Sequence, residues 1–588
     1  MKYWLVLIAF LSARAFASID LIQNPDARDS ISLNGQWNAI VDPYDVGDKR
    51  KFYENAKQET PDQLLEYNFA SAQKLKVPGD WNTQDDKLFF YEGTVWYHKD
   101  FTVNKKSGKN YLVHFGAVNY LATVYLNGHE IGTHEGGFTP FQFNVNEQLV
   151  DGANSIVVKV NNRREPDFIP TMSTDWWNYG GITRSVKLIE LNDSYVDDYS
   201  IQYVNGKVPQ IKAKVSVKGK VAGAVELHIP ELNVRQSLKL NSKGEAQISF
   251  NANPRLWTPE APKLYQTELV YAGETVKDKI GFRYVEVKGD DILLNGQRIF
   301  LRGISIHEEK PSGAGRAWSE SEDRTLLNWA KELGSNYVRL AHYPHNEKML
   351  RLADEMGLLV WAENPNYWGI QFESDVVLEK AKQQFTEMLV RDKNRASIIL
   401  WSIANETLNT KDRNHFLSSL AKTVREQDPT RLVTAALNTQ TTTEYGHKIE
   451  DPLASVVDVI GINSYCGWYY DAPKDCANYK WVTEYKKPIV ISEFGGGALH
   501  GWHGDENEKY TEENQVAVYK YNLEMFENMA QLRGMSPWIL KDFLSPRRPL
   551  ANVQDYWNRK GLLSESGEKK KAWYIMRDWY AEKAESFK

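Results

Sequence analysis

At 588 residues the chain is about four times a typical domain, so two to four domains are expected. Hydrophobic residues make up 42% and charged residues 25%, which excludes wholesale disorder. The 71 Lys+Arg and 77 Asp+Glu leave a formal charge of −6, without the basic footprint of a nucleic-acid binder. The excess is aromatic: 19 Trp and 31 Tyr offer flat faces with a polar edge, which suit sugar rings as well as cores and interfaces.

In chain order, Lys2 precedes an apolar run from Tyr3 to Leu11, and Ala15-Phe16-Ala17 supplies small residues where a signal peptidase reads. Residues 1–17 are therefore expected to be a signal peptide, and the mature chain to be exported, periplasmic or secreted. No other stretch approaches the ~20 apolar residues of a membrane span, so the mature chain is expected to be soluble.

From residue 18 to 287 short alternating runs are separated by turn residues. Tyr120 to Gly132 reads as two strands around Asn127-Gly128, a hairpin signal. Strands are expected at Ser155–Asn162, Arg184–Leu191, VSVKGKV and VELHI, and a helical stretch only around Asp62 to Ala72. That pattern predicts two β-sandwiches, 18–191 and 192–287.

From residue 288 to 588 the pattern becomes strand, loop, helix. Apolar β-rich runs at RIFLRGIS, NYVRLAHY, GLLVWAEN, SIILWSIANE, RLVTAALN, VDVIGINSY, PIVISEFG and MSPWILKDF alternate with helical periods such as Ser321 to Gly334 and Glu347 to Gly357. Near-continuous apolar strands imply burial on both faces, and eight units in about 300 residues fit a (β/α)8 barrel. An open doubly wound sheet fits less well, because no glycine-rich phosphate turn follows the first strand. Cys466 and Cys476 either close a short loop or remain free thiols; their spacing does not decide.

Catalytic groups of such a barrel sit at the C-terminal ends of its strands. Those ends carry His307-Glu308, His342, Glu363, Asn405-Glu406, Tyr465, Glu493 and Trp538-Lys541, nearly all able to bond a hydroxyl or exchange a proton. Glu406 and Glu493 end the fourth and seventh strands, which are too apolar to solvate a carboxylate along their length. Glycoside cleavage needs such a pair: one carboxyl protonates the leaving oxygen, and the other attacks the anomeric carbon or activates water. Asn405 beside Glu406 is placed to bond a 2-hydroxyl, and Tyr465 to bond the nucleophile and hold it ionised. His307, His342 and Glu363 show no recognised metal spacing, so hydrogen-bonding roles are expected and no metal.

SIANET and ISEFGGGALHG resemble glycoside hydrolase family 2. The resemblance runs through most of the chain. VPGDW, YEGTVWYHKDF, YLNGHEIGTHEGGFTPF and DWWNYGGITRSV resemble the family's N-terminal sugar-binding jelly roll. LWTPEAPKLY and IGFRYVEV resemble its immunoglobulin-like domain, and LNGQRIFLRGISIHEE the start of its TIM barrel. The resemblance implies a retaining mechanism with Glu406 as acid/base and Glu493 as nucleophile, and no redox cofactor. Relatives often form dimers or tetramers, so the oligomeric state stays open.

Asn558-Arg559-Lys560 resembles the Asn-x-Lys signature by which the family's β-glucuronidases hold a C6 carboxylate. A carboxylate is well held by a fixed cation and a neutral donor, and residues at i and i+2 point the same way in an extended stretch. By the same resemblance Asp175, His342, Tyr465 and Trp538 line the sugar pocket. The chain departs from the family around Trp368 and at Arg547-Arg548, where an extra arginine fits an axial hydroxyl and hence galacturonic acid. By this resemblance the expected activity is that of a retaining exo-β-glucuronidase, removing a terminal β-linked uronic acid from an acidic oligosaccharide or glycoside. The alternatives are a β-galacturonidase or β-galactosidase on the same scaffold, or a non-catalytic carbohydrate-binding protein.

Overall fold

The computed structural model describes residues 20–587 apart from 59, 61, 66, 439, 444 and 445. The expected signal peptide, 1–17, lies outside the described residues.

The first unit is a jelly-roll sandwich. A six-stranded antiparallel sheet runs in the order 73–77, 35–42, 94–103, 152–161, 121–126, 129–135, and faces a four-stranded sheet built from 30–32, 186–192, 109–115 and 141–144. Trp37, Trp81, Tyr97 and Phe115 fill the space between them. Asn127 and Gly128 turn the hairpin with φ of 52° and 83°, the left-handed pair that matches strand twist. Among the described residues from Asp62 to Ala72 the expected helix is not found: Phe69–Ser71 forms a short 3-10 turn, capped by Asn68. Its apolar residues serve a local patch instead, with Phe69 packing near Phe52 and Trp96.

The second sandwich packs 195–204, 210–218 and 245–251 against 234–239, 224–229, 265–271 and 274–280. Ile211, Ala213, Val215 and Val217 alternate inward along Gln210–Lys218, as the pleat requires.

The third unit is a closed barrel of eight parallel strands in sequence order: Leu301–Ile306, Tyr337–Leu340, Leu359–Glu363, Ile398–Asn405, Leu432–Asn438, Val459–Asn463, Ile489–Glu493 and Leu532–Met535. Helices wrap it, with ends written in the sequence. Ser319 and Glu322 form a reciprocal capping box on Glu320–Glu332, and Gly357 ends Glu347–Met356 at φ 73°. Tyr337, Leu359, Trp361, Val459 and Val490 form an apolar cluster that reaches Trp257 of the second sandwich. One inward step further, period 2 places Arg339 above Tyr337 and Glu363 above Trp361. Oily residues thus plug the base of the barrel, and buried charges occupy its mouth.

Candidate active site

Arg339 organises the mouth. It is fully buried, and its Nη1 donates to Glu493 Oε1 (2.8 Å) and to the Ser492 carbonyl (3.0 Å). Its Nη2 donates to Asn405 Oδ1 (2.7 Å) and Glu363 Oε1 (3.1 Å), and its Nε to Glu363 Oε2 (3.2 Å). A buried cation needs such compensation. Burial alone would raise the Glu363 carboxyl, but Arg339, followed by His342 and Trp361, offsets this and holds it down to about 2. Glu363 in turn fixes His342, whose Nδ1 lies 2.7 Å from Oε1 and whose Nε2 faces Glu493 Oε1 at 3.6 Å.

The two candidate carboxylates differ in their surroundings. Glu493 accepts from Arg339 and, through Oε2, from the Tyr465 hydroxyl at 2.6 Å. Both bonds use carboxylate oxygens as acceptors, and one comes from a cation. Glu406 stands at φ 51° just beyond the fourth strand, and among the described residues its carboxylate accepts from neutral donors, Trp368 Nε1 to Oε2 (2.8 Å) and Asn463 Nδ2 to Oε1 (3.0 Å). Burial, and next the charge of Glu493, raise its carboxyl above the ordinary value against these two bonds. Its raised carboxyl suits Glu406 to proton donation, while Glu493 is held in place by a cation and a hydroxyl. Beside Glu406, the Asn405 Oδ1 is taken by Arg339 while its Nδ2 is buried without a partner among the described residues. An amide N–H in that state is available to a ligand oxygen.

Trp538 stacks on His342 with ring centres 4.7 Å apart, and Trp176 packs at 5.7 Å on the same imidazole. Asp175, from the jelly roll, accepts from Ser545 Oγ (2.6 Å), from Arg548 and from Asn558 Nδ2 (3.2 Å). Lys560 is 3% exposed, donates to the Tyr469 hydroxyl (2.8 Å) and lies over the Tyr465 ring at 5.2 Å. Burial would raise the Tyr469 phenol, but Lys560 and then Arg548 bring it below its ordinary value. Among the described residues no carboxylate pairs with Lys560. A cavity of about 120 Å³ opens beside Tyr469, Arg548, Asn558 and Lys560.

All nine site residues expected from the sequence fall in this one region, but the reason given for two of them does not hold. Asn558 ends a two-residue strand, Trp557–Asn558, and the chain then turns. The Asn558 Oδ1 accepts the Lys560 amide at 3.2 Å, so a side-chain turn, and not extended pleating, brings the two together. Two rim residues serve structure instead. Glu308 binds Arg184 (2.9 Å), fastening jelly roll to barrel, and Lys541 donates to the Asp542 carbonyl (2.9 Å) and lies over Trp557 at 5.2 Å.

Arg339, Asn463 and Tyr469 escaped the sequence reading. A lone arginine inside the apolar run NYVRLAHY was a usable signal; Tyr469 had none. Cys466 and Cys476 form a disulfide, Cα atoms 5.8 Å apart, across the loop that carries Tyr469.

Family comparison agrees with this geometry. The description "Glycosyl hydrolases family 2, sugar binding domain" matches residues 31–192, "Glycosyl hydrolases family 2" matches 194–283, and "Glycosyl hydrolases family 2, TIM barrel domain" matches 285–543. A β-glucuronidase of Paenibacillus borealis is 27% identical over 95% of this chain and 98% of its own. Among solved structures, a Ruminococcus gnavus β-glucuronidase superposes with a TM-score of 0.82 at 26% identity, over 95% of this chain and 99% of that one. A β-galacturonidase from Eisenbergiella tayi bound to galacturonate gives 0.80 at 26% identity, over 95% and 98%. With both sandwiches, the barrel and the paired glutamates in place, the chain belongs to glycosyl hydrolase family 2 and is a glycoside hydrolase.

Proposed function

We propose that the chain is a retaining exo-β-glycosidase that removes a terminal β-linked uronic acid, with glucuronic acid as its sugar. The observation that carries the sugar class is Lys560, buried beside Asn558 and without an anionic partner among the described residues. A buried unpaired charge is expensive, and a C6 carboxylate would complete it.

In this reading Glu493 attacks the anomeric carbon. The bond to the leaving oxygen breaks as Glu406 delivers its proton there, giving a glycosyl ester on Glu493. Glu406, now ionised, takes a proton from water, whose oxygen attacks the same carbon and releases the ester. Tyr465 and Arg339 orient Glu493, and the unpartnered Asn405 Nδ2 donates to the 2-hydroxyl oxygen. His342 and Trp538 line the glycone. The family membership and the uronidase names of its relatives support the assignment. We also propose an oxidising, exported location, which suits a disulfide between Cys466 and Cys476.

The test is initial rates on p-nitrophenyl β-glucuronide, β-galacturonide, β-galactoside and β-mannoside, with Glu493→Ala as blank. A uronide is expected to exceed both neutral sugars by on the order of 10³-fold in kcat/KM, since a site built for a polar group discriminates strongly against its absence. Equal rates on a neutral sugar would sink the uronide reading, and the ratio of the two uronides names the epimer.

Trp368→Phe removes a donor to the ionised form of Glu406, so its carboxyl moves still higher. The alkaline limb of kcat/KM is therefore expected at higher pH than in the wild type, with a loss on the order of tenfold at the optimum. A limb that stays put or moves to lower pH would show that Glu406 is not the group titrating there.

A further inference from the structure

Two adjacent arginines in the loop after the eighth strand are used differently. Arg548 turns inward and its guanidinium is committed to Asp175 and to the Tyr469 hydroxyl (3.3 Å). Arg547 turns outward. Its guanidinium lies over the Trp368 ring at 4.9 Å and donates to the Ser173 hydroxyl (2.8 Å). It is exposed and has no ion-pair partner among the described residues.

Trp368 is not an arbitrary platform. Its indole N–H donates to the Glu406 oxygen Oε2, its own amide is bonded to the Asn405 carbonyl (3.0 Å), and its ring packs on Tyr367 at 4.4 Å. Thr171 Oγ1 donates to the Gly369 carbonyl (2.8 Å), tying this loop to the jelly roll. The Trp368 indole thus contacts both the Arg547 guanidinium and the carboxyl that meets the leaving group. Leu408, two residues beyond Glu406, and Met172, beside Ser173, add exposed apolar surface near the same rim.

We propose that Arg547 and Trp368 form the subsite for the leaving sugar, and that this sugar carries an anionic group, a carboxylate or a sulfate ester. The half-buried indole presents its exposed part to the pyranose, and the guanidinium, in its forked geometry, binds the anion. This rests on Glu406 as the acid that protonates the leaving oxygen. It extends recognition past the glycone, whose anion is met on the opposite side of the reacting bond by Lys560. The substrate is then acidic on both sides of the bond that is cut.

The test compares kcat/KM on disaccharides sharing one glycone, the one that the wild-type protein hydrolyses in the p-nitrophenyl panel. Failure of the uronide reading would change that glycone and leave this comparison in force. The leaving sugar is neutral in one substrate, carries a carboxylate in a second and a sulfate ester in a third. In Arg547→Gln the anionic-to-neutral ratio is expected to fall about fivefold, and further in Arg547→Glu, the size of a partly exposed charge contact. Arg547→Lys should recover part of it, and added salt should erode the wild-type ratio. The arm that falls identifies the anion. If both ratios stay unchanged in Arg547→Gln and Arg547→Glu, or if all three substrates lose activity in equal proportion, Arg547 does no more than brace Trp368 and the proposal is overturned.

Discussion

Glu493→Ala is expected to lower kcat on an activated p-nitrophenyl glycoside by on the order of 10⁵-fold, the scale of losing a covalent nucleophile. The fold should survive. The alanine removes a carboxylate whose partners, Arg339 and Tyr465, keep other contacts: Arg339 still has Glu363, Asn405 and the Ser492 carbonyl. Sodium azide supplies the decisive readout. A small anion entering the space left by the carboxylate attacks the anomeric carbon from that side, giving a glycosyl azide of inverted configuration. The same addition to Glu406→Ala should give the azide of retained configuration, because there the glycosyl ester on Glu493 forms first and azide displaces it. If proton NMR shows the inverted product from Glu406→Ala instead, the two glutamates have been assigned the wrong way round.

Lys560→Ala is expected to reduce kcat/KM on the preferred uronide by on the order of 10³-fold while sparing whatever slow turnover a neutral galactoside shows. The lost interaction is a charge-assisted bond to a substrate carboxylate in a buried setting, worth several kcal/mol when one partner is removed. Among the described residues the Lys560 ammonium donates one hydrogen bond, to Tyr469, and lies over the aromatic rings of Tyr465, Trp468 and Tyr469. Removing it leaves no buried anion behind, so large destabilisation is not expected. A loss of equal size on both sugars would mean that Lys560 supports the architecture around Tyr465 and not the uronate.

Much of this was legible in the chain before any contact was known. The eight barrel strands are near-continuous apolar runs broken by few polar residues, a pattern that suits a layer covered on both faces. Their ends are marked by an abrupt change of chemistry, as in SIILWSIAN before Glu406 and PIVIS before Glu493, so both carboxylates could be placed at the barrel mouth. Alternation and the Asn127-Gly128 turn likewise marked the sandwiches. The stretch from Asp62 to Ala72 misled, because a few apolar residues at helical spacing served a local contact with Phe52.

Local pattern determined which residues form strands, where the strands stop and which two carboxylates reach the mouth, because backbone periodicity and burial act over a few neighbours. Only the tertiary structure decided what each group meets. Arg339 touches Glu363, Asn405 and Glu493 from three other strands; Asp175 crosses from the jelly roll to Asn558; and Arg547 and Arg548, adjacent in the chain, face opposite ways. Protonation, pairing and exposure depend on charges and solvent within a few ångströms in space, and those distances are set by chain closure between residues far apart in the sequence.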